Sequence, residues 1–441
     1  MSLTVLFPRW IVPVVPQGTV LEAHALVMDG TAISAILPAD VARQRYANAE
    51  LLELPEHVLL PGLVNLHAHS AMTLLRGVAD DLALMDWLNN HIWPAEKQHL
   101  SDEFVFDGSL LAMAEMLQGG TTTVNDMYFH HDAVARAGLQ AGMRTVVGAS
   151  ILEFPTGYGN NADDYIRKGL AAREHFLGEG LLSFTLAPHA PYTVADDTFK
   201  KVVTLAEQLE LGIHCHVHET ASEVSDSVQQ YGERPLARLH RLGVLGPNLI
   251  AAHMVHANDE ELALLARQGV HVAHNPASNL KLASGIARTA AMLKAGVNVG
   301  IGTDGAASNN SLDMLADTRL AALIAKGSSG DPTAVPAPQA LEMATLGGAR
   351  ALGMAERIGS LEAGKQADLI AVDLGSLPTL PVFDPISHLV YAAQRNQVSH
   401  VWVAGRALVQ QHKLLTLNAG QLAAKAHWWQ TRISANGQGG K

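Results

Sequence analysis

One cysteine, Cys215, stands in a chain of 441 residues. No internal disulfide can form, and a reducing cytoplasm is the expected compartment. The CxxC and CxxH spacings of structural zinc sites are absent. Basic blocks are absent too, and the formal net charge is -12. That balance excludes nucleic acid and acidic membrane surfaces as expected partners. No apolar run is long enough to span a bilayer. The start, MSLTVLFPRWIVPVV, lacks a basic leader and a small-residue cleavage site. It reads as a strand, not a signal peptide. There is no internal repeat and no low-complexity block.

What the chain does have is alternation. Hydrophobic residues make up 48% of it, enough for one large domain and a smaller one. Eight short apolar runs, at 59–66, 121–127, 144–152, 181–187, 211–217, 248–255, 270–274 and 297–303, are separated by helix-like segments. In NDEELALLARQG, for example, apolar residues recur at helical spacing and Gly269 supplies a stop. The predicted fold class is α/β, a (β/α)₈ TIM-like barrel rather than an open doubly wound sheet. Both chain ends read as short strands and predict a small β-sandwich. The expected division is 1–57 and 359–415 for the sandwich and 58–358 for the barrel. Residues 416–441 are expected to form a C-terminal helix and a frayed polar tail, SANGQGGK.

Several runs end on residues that bind metals. A parallel barrel gathers its strand C-termini on one face, where its active site sits. His67 and His69 alternate after LLPGLVN, so they share a face and can chelate one ion. His214, His216 and His218 also alternate, and at most one or two can be ligands. With His216 as ligand, Glu219 follows where strand becomes loop and can turn back as a proton shuttle. His214 and His218 then pack or support, and Cys215 points away as a small buried hydrophobe. His253 ends another run, as a fourth ligand or as a hydrogen-bond partner of a bound water. His256 reads as a surface or helix-start residue. Asp304, in GTDG, can bind an ion with one oxygen and take a proton with the other, or cap the next helix. Imidazoles plus one carboxylate suit a divalent ion, Zn²⁺ first, with Fe²⁺, Mn²⁺ or Ni²⁺ sharing the same donors.

The segments LLPGLVNLHAHSAMTLLRG, GGTTTVNDMY, APHAPYTV, HCHVHET, AAHMVHA, HNPASNLKLASG, GIGTDGAASNNSLDM and IGSLEAGKQADLIAVD resemble the amidohydrolase superfamily. Within it they resemble the 5′-methylthioadenosine/S-adenosylhomocysteine deaminases. The resemblance implies that His67, His69, His216 and Asp304 bind the metal. It gives Glu219 the proton shuttle and His253 the orientation of the water or the attacked centre. DWLNNHIWPAE is similar to a deaminase segment whose Trp and Glu close over a ribose. Trp87 and Glu96 are the matches, and Glu96 would accept from the 2′- and 3′-hydroxyls. His189 in PHAPY matches a histidine that meets the purine ring. Arg144 matches an arginine near the substrate tail. A second family arginine, just after the third strand, has no counterpart in LEFPTGYGNNADDY, which favours a short apolar 5′-group. Binuclear members carry a bridging lysine on the fourth strand; LLSFTLAPH has none, so one metal ion is expected. One cysteine also excludes the P-C-x-x-C zinc deaminases.

The implied function is hydrolytic deamination of an adenine nucleoside at C6. The expected substrate is 5′-methylthioadenosine, with adenosine and S-adenosylhomocysteine behind it. One rival is a hydrolase of another heterocycle, such as guanine, cytosine, a pterin or a triazine. Glu96 discriminates, because a free base has no ribose to engage it. The other rival is a barrel that kept its fold and lost its chemistry; the complete ligand and proton-transfer set argues against it. The resemblance also implies a homo-oligomer.

Overall fold

The structure, a computed structural model, describes residues 3–437. Eight parallel strands form its central sheet: Leu63–Ala68, Thr121–Tyr128, Arg144–Ile151, Leu182–Pro188, Gly212–Val217, Leu249–His253, His271–His274 and Asn298–Ile301. Each pairs with the next in chain order. The strands are short and buried on both faces, as a helix-covered parallel sheet requires. Between the first and last strands the seam is joined by a side chain. Asn65 donates to Thr303 Oγ1 at 2.7 Å and accepts from the Thr303 N–H at 3.0 Å. The eight runs thus form the nearly closed barrel expected for them.

The helices between strands carry legible caps. Asn258 and Glu261 form a reciprocal capping box before Asp259–Gln268, and Gly269 ends that helix at φ 69°. Ser101 caps Asp102–Gln118 by accepting from Phe104 N–H.

The two chain ends share a nine-stranded mixed sheet. Its long strand, Glu50–Pro61, pairs in parallel with Leu3–Ile11 and antiparallel with Leu369–Asp373. The expected sandwich is therefore one continuous sheet rolled upon itself. Ile33 N–H donates to Lys365 O and Ala367 N–H to Thr31 O, both at 2.8 Å, which brings the far edge back. Leu6, Leu26, Leu59, Leu369 and Trp402 fill the roll. Val58, Leu60, Ile370 and Val372, which alternate with them, face the main core.

The first barrel strand starts at Leu63, not at residue 59. Residues 59–61 still belong to the rolled sheet, so a division at 57/58 would cut a strand. The chain crosses at Pro61-Gly62, where Gly62 is needed: a Cβ there would sit 2.1 Å from Thr122 Oγ1. The C-terminal helix, Ala419–Gly437, packs on Asp102–Gln118. Trp429 Nε1 donates to Asp107 Oδ2 at 2.9 Å. The helix takes in the first four residues of SANGQGGK; the last four, 438–441, lie outside the described residues. Among the described residues no helix is long and apolar enough to cross a membrane.

Candidate metal and nucleoside site

Strand ends bring His67, His69, His216, His253 and Asp304 to one point on the barrel's C-terminal face. Asp304 Oδ1 lies 3.3 Å from both His67 Nε2 and His69 Nε2. His69 Nε2 and His216 Nε2 are also 3.3 Å apart. Donors at zinc-type bond lengths on a tetrahedron are separated by about 3.3 Å, so these spacings fit one ion. His67 Nε2 is buried and has no hydrogen-bond partner among the described residues. A bare imidazole nitrogen in that setting is costly unless it binds something. His253 stands slightly back, with Nε2 4.0 Å from Asp304 Oδ2 and 3.9 Å from Glu219 Oε2.

The far sides of these rings are held. His69 Nδ1 donates to Met127 O at 2.6 Å, and His216 Nδ1 to His189 O at 2.7 Å. His253 Nδ1 donates to Asn279 Oδ1 at 2.8 Å. His67 Nδ1 and His214 Nε2 share a hydrogen bond of 2.8 Å. Such outer contacts fix ring orientation and aim Nε2 at the centre. Ser278 Oγ donates to Asp304 Oδ2 at 2.6 Å, and the Gly305 N–H to Oδ1 at 2.8 Å. His253 and Asp304 both hold left-handed backbone, φ 74° and 63°. Non-glycine residues pay about 1–3 kcal/mol for such conformations, which cluster at functional sites.

Glu219 follows a left-handed turn at His218, φ 56°. The Glu223 carboxylate fixes that turn, accepting from the His218 and Glu219 N–H groups at 2.8 and 2.7 Å. Burial pushes the Glu219 carboxyl above its ordinary value, partly offset by His253. His218 Nε2 accepts from Leu236 N–H, and His256 Nε2 donates to Ser284 O, so both brace loops. Cys215 is buried in the main core.

Over this cluster lies a pocket, mostly apolar in its lining with a few convergent polar groups, as small-molecule sites are. Trp87, Glu96, His189 and Glu219 all line it. Trp87 and Glu96 come from Leu84–His99, where a π-turn at Leu88–Ile92 joins two short helices. Tyr128 donates its hydroxyl to Glu96 Oε1 at 2.5 Å. Burial pushes Glu96 up to about 7, against the pull of Tyr128. Burial lowers His189 to about 3, which leaves it a neutral imidazole.

Arg144 is corrected. It begins the third strand and so sits at the barrel's opposite end, about 20 Å along the strand from the site. There it forms a buried two-pronged bond with Asp368, 2.8 and 3.1 Å, that ties barrel to rolled sheet. Tyr128, Glu223, Ser278 and Asn279 carried no expected role. The Thr220-x-x-Glu223 spacing is a capping signature, which marks a helix start and says nothing of a clamp on Glu219. Ser278 and Asn279 stand on the short helix Pro276–Lys281, whose placement against the site no sequence period gives.

A model described as the amidohydrolase family matches residues 58–408. The 5-methylthioadenosine/S-adenosylhomocysteine deaminase of Teredinibacter turnerae is 46% identical over 426 residues, covering 97% of this chain and 96% of that one. Its counterpart in Saccharophagus degradans is 44% identical, covering 98% and 97%. The crystal structure of an adenosine deaminase from Xanthomonas campestris, with bound zinc, superposes with a TM-score of 0.97. It is 49% identical and covers 98% of each chain. The chain belongs to the amidohydrolase family, in the group of its 5-methylthioadenosine/S-adenosylhomocysteine deaminases.

Proposed function

We propose that this enzyme hydrolytically deaminates adenine nucleosides at C6, with 5′-methylthioadenosine preferred, releasing ammonia and the inosine analogue. The observation that carries the reading is one pocket lined at once by the His/Asp cluster, Glu219, Glu96 and Trp87. The base reacts at the cluster while Glu96 takes the ribose hydroxyls under Trp87. His67, His69, His216 and Asp304 hold the ion, with zinc as the proposed metal; the related adenosine deaminase binds it. When bound, a divalent ion lowers the pKa of water and supplies a nucleophile near neutral pH.

The side chains do the rest. Asp304 takes the proton of the attacking water, its carboxylate steadied by Ser278. His253 turns Nε2 toward that water and orients it. Glu219, whose carboxyl burial shifts toward the protonated form, delivers its proton to N1, so the ring accepts electrons as C6 is attacked. Asp304 then passes its proton to the amine, the C6 hydroxyl proton returns to Glu219, and the C6–N bond breaks to release ammonia and leave the 6-oxo ring. His189, neutral, meets the purine edge. The loop after the third strand lacks an arginine for a tail carboxylate and disfavours S-adenosylhomocysteine. Ammonia release on adenosine, 5′-methylthioadenosine, S-adenosylhomocysteine, guanine and cytosine tests this. Turnover of a free base and of no nucleoside overturns the nucleoside reading.

A further inference from the structure

The short helix Pro276–Lys281 carries the two side chains that aim the site, Ser278 toward Asp304 and Asn279 toward His253. Its own sequence does not cap it. Pro276 brings no N–H, and the side chain of Asn275 before it makes no capping bond. The first free donor, the Ala277 N–H, is taken by Asp317 Oδ1, 3.2 Å away on the helix Met314–Ser329. The other oxygen, Oδ2, accepts from Asn309 Nδ2 at 3.0 Å. The same Asn309 nitrogen donates to Thr303 O at 2.7 Å, the carbonyl one residue before Asp304. One carboxyl therefore holds both segments on which Asp304 and His253 depend.

Asp317 is 2% exposed, and its own helix is capped by Asp313 instead. A carboxyl this deeply buried is costly to desolvate, so packing alone does not call for one. The far end of Pro276–Lys281 is pinned separately. Lys281 Nζ donates to Ala307 O at 3.0 Å and to Asp80 Oδ1 at 2.6 Å. Without Asp317 the helix is free to pivot on Lys281 and takes Ser278 and Asn279 with it. We propose that Asp317 is a positioning residue for the deamination, setting Asp304 and His253 on the attacking water by fixing Ala277 and Asn309. The inference rests on the deaminase reading, which gives those two residues their roles. Nucleoside binding lies outside its reach, because Trp87 and Glu96 come from Leu84–His99.

Asp317→Asn keeps the volume but cannot serve both donors. Whichever way the amide turns, its NH2 faces Ala277 N–H or Asn309. The zinc-loaded variant is expected to lose about 10- to 100-fold in kcat on 5′-methylthioadenosine, with KM within about threefold of wild type. Competition with a chelator is expected to show zinc held about 10-fold less tightly, since Asp304 is a proposed ligand. Asn309→Ala, at a half-buried position, cuts only the Thr303 branch and is expected to move both readings the same way by a smaller factor. It carries the test if Asp317→Asn does not fold. Joined to Ser278→Ala, Asp317→Asn is expected to cost little beyond the larger single loss, because the two act in one chain of contacts. A lower Tm with unchanged kcat and zinc affinity in the folded enzyme overturns the proposal, as does a fully multiplicative loss in the double variant. A wild type that turns over no nucleoside sinks the deaminase reading; the zinc affinities then still decide whether Asp317 sets Asp304.

Discussion

The backbone N–H of Asp304 donates to the carbonyl oxygen of His67 at 2.9 Å. Residues 237 positions apart, counted as 304 minus 67, are thereby adjacent, and the barrel's seam runs through the candidate metal site. The bond leaves both side chains projecting above the strand ends, 3.3 Å from one another. Closing the barrel and assembling the site are one event.

Loss of either partner should therefore empty the site. His67→Ala and Asp304→Ala are expected to lose bound metal together with activity, read by elemental analysis. Chelation of the wild type should abolish turnover, and added divalent ion should restore it. Full metal occupancy in both variants means the ligand set is wrong.

Glu219→Gln removes a proton donor and none of the proposed ligands. Metal content should stay near wild type while kcat falls at least 100-fold, the scale of general acid–base catalysis. Activity within a few-fold of wild type refutes the assignment.

Glu96→Ala leaves the ribose hydroxyls without a charged acceptor. Charge-assisted hydrogen bonds contribute about 1.5–3 kcal/mol, so kcat/KM should fall roughly 10- to 150-fold for nucleosides. The variant should barely separate adenosine from its 2′,3′-dideoxy analogue. Burial raises the folded carboxyl from 4.5 to about 7. Only the ionised form accepts both hydroxyls, so KM for adenosine should rise as pH drops below about 7. Between 4.5 and 7 the folded chain keeps a proton that the unfolded chain has lost, so this group costs stability as pH rises. Glu96→Gln should flatten both profiles; unchanged profiles would remove Glu96 from the ribose.

Arg144→Ala should act on stability alone. It strands Asp368 as a buried unpaired carboxylate, and breaking such a pair costs about 3–5 kcal/mol. The expected result is a lower Tm, with KM for S-adenosylhomocysteine unchanged in protein that remains folded. A selective rise in that KM would return Arg144 to the substrate tail.

Cys215→Ser should be nearly silent in turnover. The thiol is buried in the core, where burial also raises its pKa well above the ordinary value. Loss of metal in this variant would mean that the strand presents its other face to the site.

The sequence by itself determined the barrel and the identity of its strand-end residues. Local chemistry was enough: a buried parallel strand must be a short apolar run, and a ligand must be a histidine or carboxylate at its end. Alternation alone put His67 and His69 on one face. The Gly269 helix stop was also readable, because a helix end is set within one turn. Tertiary structure decided what depends on distance through space. Arg144 looked like a substrate contact because spacing does not say which end of a barrel a residue faces; only Asp368, 224 positions away, reveals it. Glu223 clamps Glu219, and Ser278 and Asn279 aim Asp304 and His253, from helix starts whose placement no period encodes. The rolled sheet likewise needed its far edge to return on Lys365. Residue type fixes which atoms can react; packing fixes where those atoms point.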